Sequence, residues 1–474
     1  MRRHCAAGAL LAMTTILFVS CYWQPDISGS GSVRFEIEAV SSNDVSTLDI
    51  TENAARIFLV AGTGSDQRFF PLGGRGVPDR WVSFSSGRAI VEIENVPDGA
   101  VYRLFVAAGQ AFPRTGAFHV SRYGSSAPFK VAAGSEVSVG VTLGNAPQVA
   151  WALPGAAVSS LVWPSGNELP RPLYAGGGSR VAGIAWTGTG FDSAIQYSFG
   201  DVAVNGIATA HYGSSPLAVS TSNGLAYGSI RGGFDVETER GRPRSTLSAV
   251  TVASDTTDIL MYSRPDGFGG RRADIGEGPG EWFWIDTSRD VKRPPILDMA
   301  TTGVDYLFIA TRLGAVRIPA DSVQSSWTSW TALVRTRNVV SFAGAVPVPI
   351  LSVEVAGDQE TSTLFLGTQD GIWWFDGAMA SDWNPTSRTV QEVAGSRGRA
   401  IHHMAVSSTR GGLRLAAITP FELFIVDIDG PVASTISFPF IAAYPGTPSD
   451  LVWLSATHLA ISGSEGIVVL NVPE

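Results

Sequence analysis

The chain has only two cysteines among its 474 residues, Cys5 and Cys21, and both lie close to its start. No cysteine follows position 21, so the rest of the chain cannot form an internal disulfide. It also cannot build a zinc site from thiolates or use a cysteine nucleophile. These three kinds of chemistry are excluded for nearly the whole sequence.

Charged residues are scarce as well, at 16% of the chain against roughly 25% in an average globular protein. The 33 Lys and Arg are outnumbered by 42 Asp and Glu, which gives a net charge of -9. Nucleic-acid binding calls for clustered basic residues, so we expect no nucleic-acid partner. Lysine occurs only at Lys130 and Lys292, so a catalytic Schiff-base lysine is not expected either.

The first residues have the pattern of an export signal. Arg2 and Arg3 precede an uncharged run over residues 6–20, which is too short to span a bilayer. The run ends in Leu17-Phe18-Val19-Ser20-Cys21, which resembles the lipobox of bacterial lipoproteins and is similar to its spirochaete variants; Phe18 departs from the usual aliphatic residue. An ordinary secretory signal with an incidental cysteine is the alternative.

The lipobox resemblance implies a signal peptide over residues 1–20 and a lipidated Cys21 that carries fatty acyl chains such as palmitate. Several acyl chains would hold the protein firmly to a membrane, since each buried CH₂ contributes about 0.8 kcal/mol. We therefore expect a lipoprotein of the cell envelope, facing the periplasm or the cell surface. No later segment approaches the roughly 20 apolar residues of a spanning helix.

Residues 21–32 contain a Gly/Ser run and predict a linker or tether. The next segment, 33–145, begins with the strictly alternating Val33-Arg34-Phe35-Glu36-Ile37-Glu38-Ala39, the period of a half-buried strand. Short strands separated by turn signals predict a small β-sandwich over 33–145. Further strands are expected at 56–61, 81–84, 89–93, 101–107 and 136–143.

The run over residues 89–99, followed by Tyr102-Arg103-Leu104, resembles carboxypeptidase-regulatory or prealbumin-like sandwich domains. That resemblance implies a spacer or docking module without catalytic residues.

Residues 146–474 repeat a unit of two apolar strands joined by a short turn that ends in glycine. The clearest copy runs over residues 364–377. Centres recur about every 50 residues, a spacing typical of β-propeller blades, so we predict about seven blades. The centres are Gly166, Gly224, Gly267, Gly314, Gly371, Phe421 and Gly466.

The last repeat stops one strand after Gly466, so a complete last blade needs a strand from elsewhere. Residues 148–153 are the natural donor, because such an exchange closes the ring and removes its exposed edges. The copy over 364–377 resembles the propeller repeat of two-component regulators, a resemblance that bears on fold rather than function.

Few residues are candidates for a site. Trp327 and Trp330 lie in a polar connection, where exposed aromatic rings are typical of protein or glycan contacts. The pair His402-His403 suggests acid–base or metal chemistry, but neighbouring side chains on a strand point to opposite faces. Asp427-Ile428-Asp429-Gly430 lacks the frame of a calcium loop. We predict no catalytic residue, no metal ligand and no cofactor.

The sequence favours a non-enzymatic role as an envelope-anchored, protein-binding or scaffolding module that acts through its propeller. Its partner would be an envelope protein or a glycan that meets an extended loop over residues 320–332. Two alternatives remain open. One is an extracytoplasmic hydrolase or lyase acting on glycan or peptide, with residues gathered from several blades around the channel. The other is a surface adhesin that binds host or matrix components.

Overall fold

The computed structural model describes most of the chain from residue 29 to residue 472. Every one of its 38 regular elements is a β-strand, and the described residues include no helix long and apolar enough to cross a membrane. An all-β fold is therefore confirmed. The described residues are 29–38, 52–64, 66–72, 79–84, 88–112, 117–145, 148–164, 171–188, 190–209, 217–237, 246, 249–254, 257–264, 267–273, 282–286, 296–301, 306–319, 340–341, 346, 349–357, 362–377, 390–409, 412–428, 436–439 and 447–472.

Ten strands make up residues 29–145, which we call the N-terminal unit. They are β1 (Ser30–Glu38), β2 (Ala54–Ala61), β3 (Arg68–Phe70), β4 (Asp79–Ser83), β5 (Arg88–Pro97), β6 (Val101–Phe112), β7 (Ala117–Ser125), β8 (Phe129–Lys130), β9 (Glu136–Ser138) and β10 (Gly144–Asn145). They form a three-stranded sheet of order β5-β1-β9 and a seven-stranded sheet built on β10-β7-β6-β2-β3, with β4 beside β2 and β8 beside β6.

The two sheets of the N-terminal unit share one apolar core. The alternation in β1 buries Val33, Phe35 and Ile37 in this core, where they meet Ile57 of β2 and Leu104 of β6. Residues between them on β1, such as Glu36, are exposed. The period-two pattern in the sequence therefore identifies the buried face correctly.

The remaining strands form seven four-stranded antiparallel sheets. The strand β11 (Gln148–Pro154) comes first in the chain. The first three sheets are β12 (Ser160–Val162), β13 (Arg171–Gly177), β14 (Arg180–Trp186), β15 (Phe191–Ser198); β16 (Val204–Thr209), β17 (Leu217–Thr221), β18 (Gly224–Ser229), β19 (Gly233–Glu237); and β20 (Ala249–Ser254), β21 (Thr257–Arg264), β22 (Gly267–Ala273), β23 (Trp282–Asp286).

The fourth to sixth sheets are β24 (Ile296–Thr301), β25 (Tyr306–Thr311), β26 (Gly314–Pro319), β27 (Val340–Ser341); β28 (Ile350–Ala356), β29 (Thr363–Thr368), β30 (Gly371–Asp376), β31 (Gln391–Glu392); and β32 (His403–Thr409), β33 (Gly412–Ile418), β34 (Glu422–Asp427), β35 (Ile436–Pro439). The seventh contains β36 (Pro448–Trp453), β37 (His458–Gly463), β38 (Gly466–Asn471) and β11.

The first strands of these sheets form a closed ring. Each of β12, β16, β20, β24, β28 and β32 contacts the first strand of the next sheet, and β36 of the seventh sheet contacts β12 of the first. In the first six sheets the later strands follow in order outward from this ring, and in the seventh β37, β38 and then β11 lie outward of β36. Radial sheets around a central axis define a β-propeller, so the predicted propeller is confirmed.

The ring is closed by an exchanged strand, as the sequence predicts. β11 pairs with β38 in antiparallel register from Gln148 opposite Asn471 to Pro154 opposite Gly466. One predicted repeat centre is wrong: the central hairpin of the first sheet turns between Gly177 and Arg180, not at Gly166, which lies outside the described residues. The true turn, Gly177-Gly178-Ser179-Arg180, lacks the terminal glycine that five of the other six copies have.

Most central hairpins share a turn that is built on threonine. In the fifth sheet, Thr368 Oγ1 accepts a hydrogen bond from Asp370 N and donates one to Gly371 O, each 3.0 Å long. Thr221, Thr311 and Thr419 make equivalent pairs of bonds in other sheets. The hydroxyl satisfies two backbone groups that the tight turn leaves unpaired, which explains the recurrence of this sequence.

The exchanged strand gives the first prediction. Replacing residues 148–154 with a Gly/Ser segment of equal length removes the side chains and strand propensity of β11, so β38 loses its outer neighbour. We expect a lower melting temperature in differential scanning calorimetry. The same replacement at residues 155–157, which are exposed, is the control and leaves the melting temperature unchanged. Equal melting temperatures for both variants contradict closure as a source of stability.

Candidate functional site

Four titratable side chains lie on the ring of inner strands, each from a different sheet. They are Asp298 of β24, Glu354 of β28, His403 of β32 and Asp450 of β36. All four side chains are only partly buried. Asp298, His403 and Asp450 occupy equivalent register positions of their sheets, where β28 has Ser352, and Glu354 lies two residues after Ser352 on that strand.

The two aspartates bridge neighbouring sheets in the same way. Asp298 accepts a hydrogen bond from Met299 N of its own strand at 2.8 Å, and one from Val353 N of the next inner strand at 2.9 Å. Asp450 accepts from Leu451 N and from Leu161 N of β12, both at 2.8 Å. Each carboxylate therefore joins its own inner strand to the following one.

Serine makes a similar link at two other junctions. Ser160 Oγ accepts a bond from Ile207 N at 3.3 Å, which joins the first sheet to the second. Ser352 Oγ donates to Ile401 O at 3.0 Å, which joins the fifth sheet to the segment that begins the sixth. These bonds satisfy backbone groups on the inner edges of the sheets, where no further strand is present to pair with them.

The carboxyl groups are nevertheless harder to ionise than usual. Burial raises the pKa of Asp298 to about 7 and that of Asp450 to about 6, against the effect of the backbone N–H donors. Burial, reinforced by the charges of both aspartates, raises the pKa of Glu354 to about 8. The surrounding strands desolvate these groups although each keeps some exposure towards the axis.

Only one member of the histidine pair, His403, belongs to the four titratable side chains of the inner ring. His402 is exposed and precedes β32, whereas His403 is its first residue and is partly buried. Burial lowers the pKa of His403 to about 4, so its imidazole is neutral near pH 7. Among the described residues, no three His, Cys, Asp or Glu side chains are grouped closely enough to hold a metal ion.

Chemically, the inner ring contains acids that exchange protons near neutral pH. Asp298 and Asp450 each use both carboxylate oxygens for backbone donors, so their first role is structural. Glu354 receives a backbone bond from Val406 of the next inner strand. A carboxyl group that holds its proton near pH 7 has the pKa that a general acid needs.

The structure locates only some of the residues singled out in the sequence. Cys21, Trp327 and Trp330 lie outside the described residues, as does the loop over 320–332. Asp427 forms an ion pair with Arg414 at 2.6 Å, so it supports its own hairpin.

Sequence reasoning missed Asp298, Glu354 and Asp450. The signal available was a single carboxylate within an otherwise apolar strand, as in Ile296-Leu297-Asp298-Met299. A buried charged residue is rare unless it is paired. An isolated acid at the first strand of several repeats therefore indicates that these strands lie on the inner ring. Only the closed ring decides which of these acids become neighbours.

Comparison with known proteins identifies no relative by sequence: no protein-family model matches the chain, and no curated protein matches it. Solved structures similar in shape include the β-propeller domain of Cps50 (Swd1) from Myceliophteria thermophila, with 14% identity, a TM-score of 0.49, and coverage of 69% of this chain and 100% of that one. A catalytically inactive virginiamycin B lyase from Staphylococcus aureus with quinupristin has 9% identity, a TM-score of 0.47, and coverage of 68% and 98%.

YCF48 bound to D1 peptide is also similar, with 10% identity, a TM-score of 0.45, and coverage of 68% of this chain and 93% of that one. The protein described here is a β-propeller on the grounds of its own sheet order and ring closure.

The raised pKa values predict a pH dependence of stability. The unfolded carboxyl groups titrate near pH 4, whereas the folded ones hold their protons up to about pH 6, 7 and 8. Between about pH 4 and about pH 8 the folded state therefore binds more protons than the unfolded state. The stability of the fold falls as the pH rises through this range.

We expect the melting temperature to fall between pH 6 and pH 8.5, and Glu354→Gln to reduce that fall because the amide cannot ionise. The exposed Glu465 provides the control variant Glu465→Gln, which keeps the full pH dependence. A Glu354→Gln profile parallel to that of the unaltered protein rules out this contribution.

Proposed function

We propose that the protein is an envelope lipoprotein whose propeller binds a protein partner. The observation that carries this proposal is the construction of the ring as a stiff scaffold. Its inner strands are joined by side-chain bonds such as those of Asp450, and its outer edge is closed by β11 and β38. A rigid ring that positions many loops is suited to recognition, since binding residues concentrate on loops held by a rigid scaffold.

The proposed organisation has three parts after the signal peptide over residues 1–20. Residues 21–32 act as a tether, residues 33–145 form a β-sandwich, and residues 146–474 form a propeller of seven blades. Two sheets around a shared core support the sandwich. Seven four-stranded sheets, with the seventh in contact with the first, support the blade number.

Anchoring is proposed through Cys21, on the resemblance of residues 17–21 to a lipobox. We expect cells that express the protein to incorporate labelled palmitate into it, and Cys21→Ala to abolish the labelling because the acceptor thiol is lost. Cys5→Ala is the matched control, since Cys5 would leave with the signal peptide, and it keeps the label. Equal labelling of the Cys21→Ala variant and the unaltered protein would overturn the lipoprotein assignment.

The partner is proposed to contact Trp327 and Trp330. Replacing both by alanine should reduce capture of the partner from crosslinked envelopes by about tenfold or more, because interface tryptophans often contribute over 2 kcal/mol to binding. The melting temperature should stay unchanged. Ser325→Ala with Ser329→Ala, in the same segment, is the control and keeps capture. A lower melting temperature would make the two rings core residues, and unchanged capture would exclude them from the contact.

A second candidate is an extracytoplasmic enzyme that acts on glycan or peptide. The observation that favours it is the group of acids from three sheets, with the pKa of Glu354 raised to about 8. A protonated Glu354 would act as the general acid towards a leaving group. The backbone bonds of Asp298 and Asp450 favour the scaffold reading, because they assign those carboxylates to holding the ring together.

A further inference from the structure

The N-terminal unit contacts one end of the fifth and sixth sheets. Gly64 forms a β-bridge with Arg399, in the connection that leads into the sixth sheet. Phe69 packs on Phe421, in the central turn of the sixth sheet. In an antiparallel four-stranded sheet the central turn and the exit from the last strand lie at the same end, so these contacts share one face of the ring. We call this the turn face.

Apolar side chains of both parts pack together in the contact. The rings of Phe69 and Phe421 meet edge to face with centroids 4.8 Å apart, and Phe421 packs against a cluster that contains Phe58 and Phe105 of the N-terminal unit. Further along, Val120 and Tyr123 of β7 share a core with residues of the sixth and seventh sheets. Burial of this kind drives association at about 25 cal/mol per Å² of apolar surface.

A buried charge cluster lies at the centre of the contact. Arg399 Nε donates to Glu422 Oε1 at 2.6 Å, so these two propeller residues already neutralise each other. Arg103 of β6 adds a second guanidinium 3.6 Å from Glu422, and its Nη2 donates to Arg397 O at 3.4 Å. The Arg103 and Glu422 side chains are 6% and 3% exposed.

Burial and the neighbouring Arg399 lower the pKa of Arg103 to about 10, although Glu422 opposes them. Within the described residues, Arg103 Nη1 has no hydrogen-bond partner. Arg103, Arg399 and Glu422 together therefore bury two positive charges and one negative charge in this contact. The apolar contacts must outweigh the cost of desolvating the additional positive charge.

The backbones approach each other most closely at Gly64. Gly64 N and Gln67 Nε2 both donate to Gly398 O, at 3.2 and 3.1 Å. A Cβ on Gly64 would lie 2.5 Å from Gln369 O in the central turn of the fifth sheet. Since Gly64 also has a φ of 55°, only glycine fits here without displacing one part from the other.

We propose that the turn face of the fifth and sixth sheets is a docking surface whose occupant is the chain's own N-terminal unit, so that the two parts move as one rigid body. The apolar cluster, the buried ion pair and the backbone bonds at Gly64 all lie on this one surface. The turns it covers are closed to external partners, which leaves the turns of the other five sheets for recognition. This inference does not depend on lipidation of Cys21.

The test measures the distance between one label on each part of the full chain. With Cys5 and Cys21 replaced by serine, cysteines are introduced at Glu92 in the N-terminal unit and Glu465 in the propeller, both exposed, and spin-labelled for pulsed dipolar spectroscopy. We expect one narrow distance distribution. A broad distribution in this otherwise unaltered chain would overturn the proposal, whatever any further variant does.

Two variants that each introduce a bulky side chain then test where the N-terminal unit contacts the propeller. Gly64→Trp and Gly178→Trp both place a tryptophan at a φ of 55°, but a Cβ at Gly178 meets nothing within 4 Å. We expect Gly64→Trp to broaden the distribution and to split the calorimetric unfolding into two transitions. Gly178→Trp keeps the narrow distribution. A narrow distribution at the original distance in Gly64→Trp would overturn the assignment of the docking surface.

Discussion

The antiparallel pairing of β11 with β38 is the contact on which the rest of the structure depends. Each four-stranded sheet has two apolar faces, so each needs a neighbour on both sides, and an open row would leave two faces in water. Pairing the first strand of the ring with the last brings the seventh sheet against the first. There Leu173 and Trp186 share a core with Ala460 and Val469. The strand exchange therefore completes the seventh sheet and gives both otherwise unburied faces a neighbour.

Closure creates a second constraint at the axis. An inner strand has only one strand beside it in its own sheet, so backbone N–H groups on its other edge need acceptors. Asp298 and Asp450 supply them to the next sheet, and their pKa values are raised because the same strands exclude water from them. The acids that stiffen the scaffold are therefore also groups whose pKa values lie above their usual range. This overlap explains why binding and catalysis remain competing functions for the same ring.

The N-terminal unit adds an asymmetry to an otherwise radial molecule. It covers the central turns of the fifth and sixth sheets, where Arg399 and Glu422 form a buried pair and Phe421 packs against it, and it shares an apolar core with the sixth and seventh sheets. The guanidinium of Arg103 is buried next to that pair. A contact of this kind fixes orientation as well as proximity, so a tether attached before residue 30 would also orient the propeller relative to the surface that holds it.

The sequence by itself determined the all-β class, the propeller and the donor strand for ring closure. Alternation and a repeat of about 50 residues report on burial that is local to a strand or a hairpin, and Val33, Phe35 and Ile37 are buried as their spacing predicts. The turn between Gly177 and Arg180 was misplaced because it lacks the Thr-x-x-Gly signal that the second, fourth and fifth sheets share. Only the tertiary structure decided that Asp298, Glu354 and Asp450 face one axis, and that Arg103 lies 3.6 Å from Glu422. These residues are separated by tens to hundreds of positions in the sequence. Their proximity follows from the curvature of the closed ring and from the docking of the N-terminal unit. Neither of these produces a repeating pattern in the sequence.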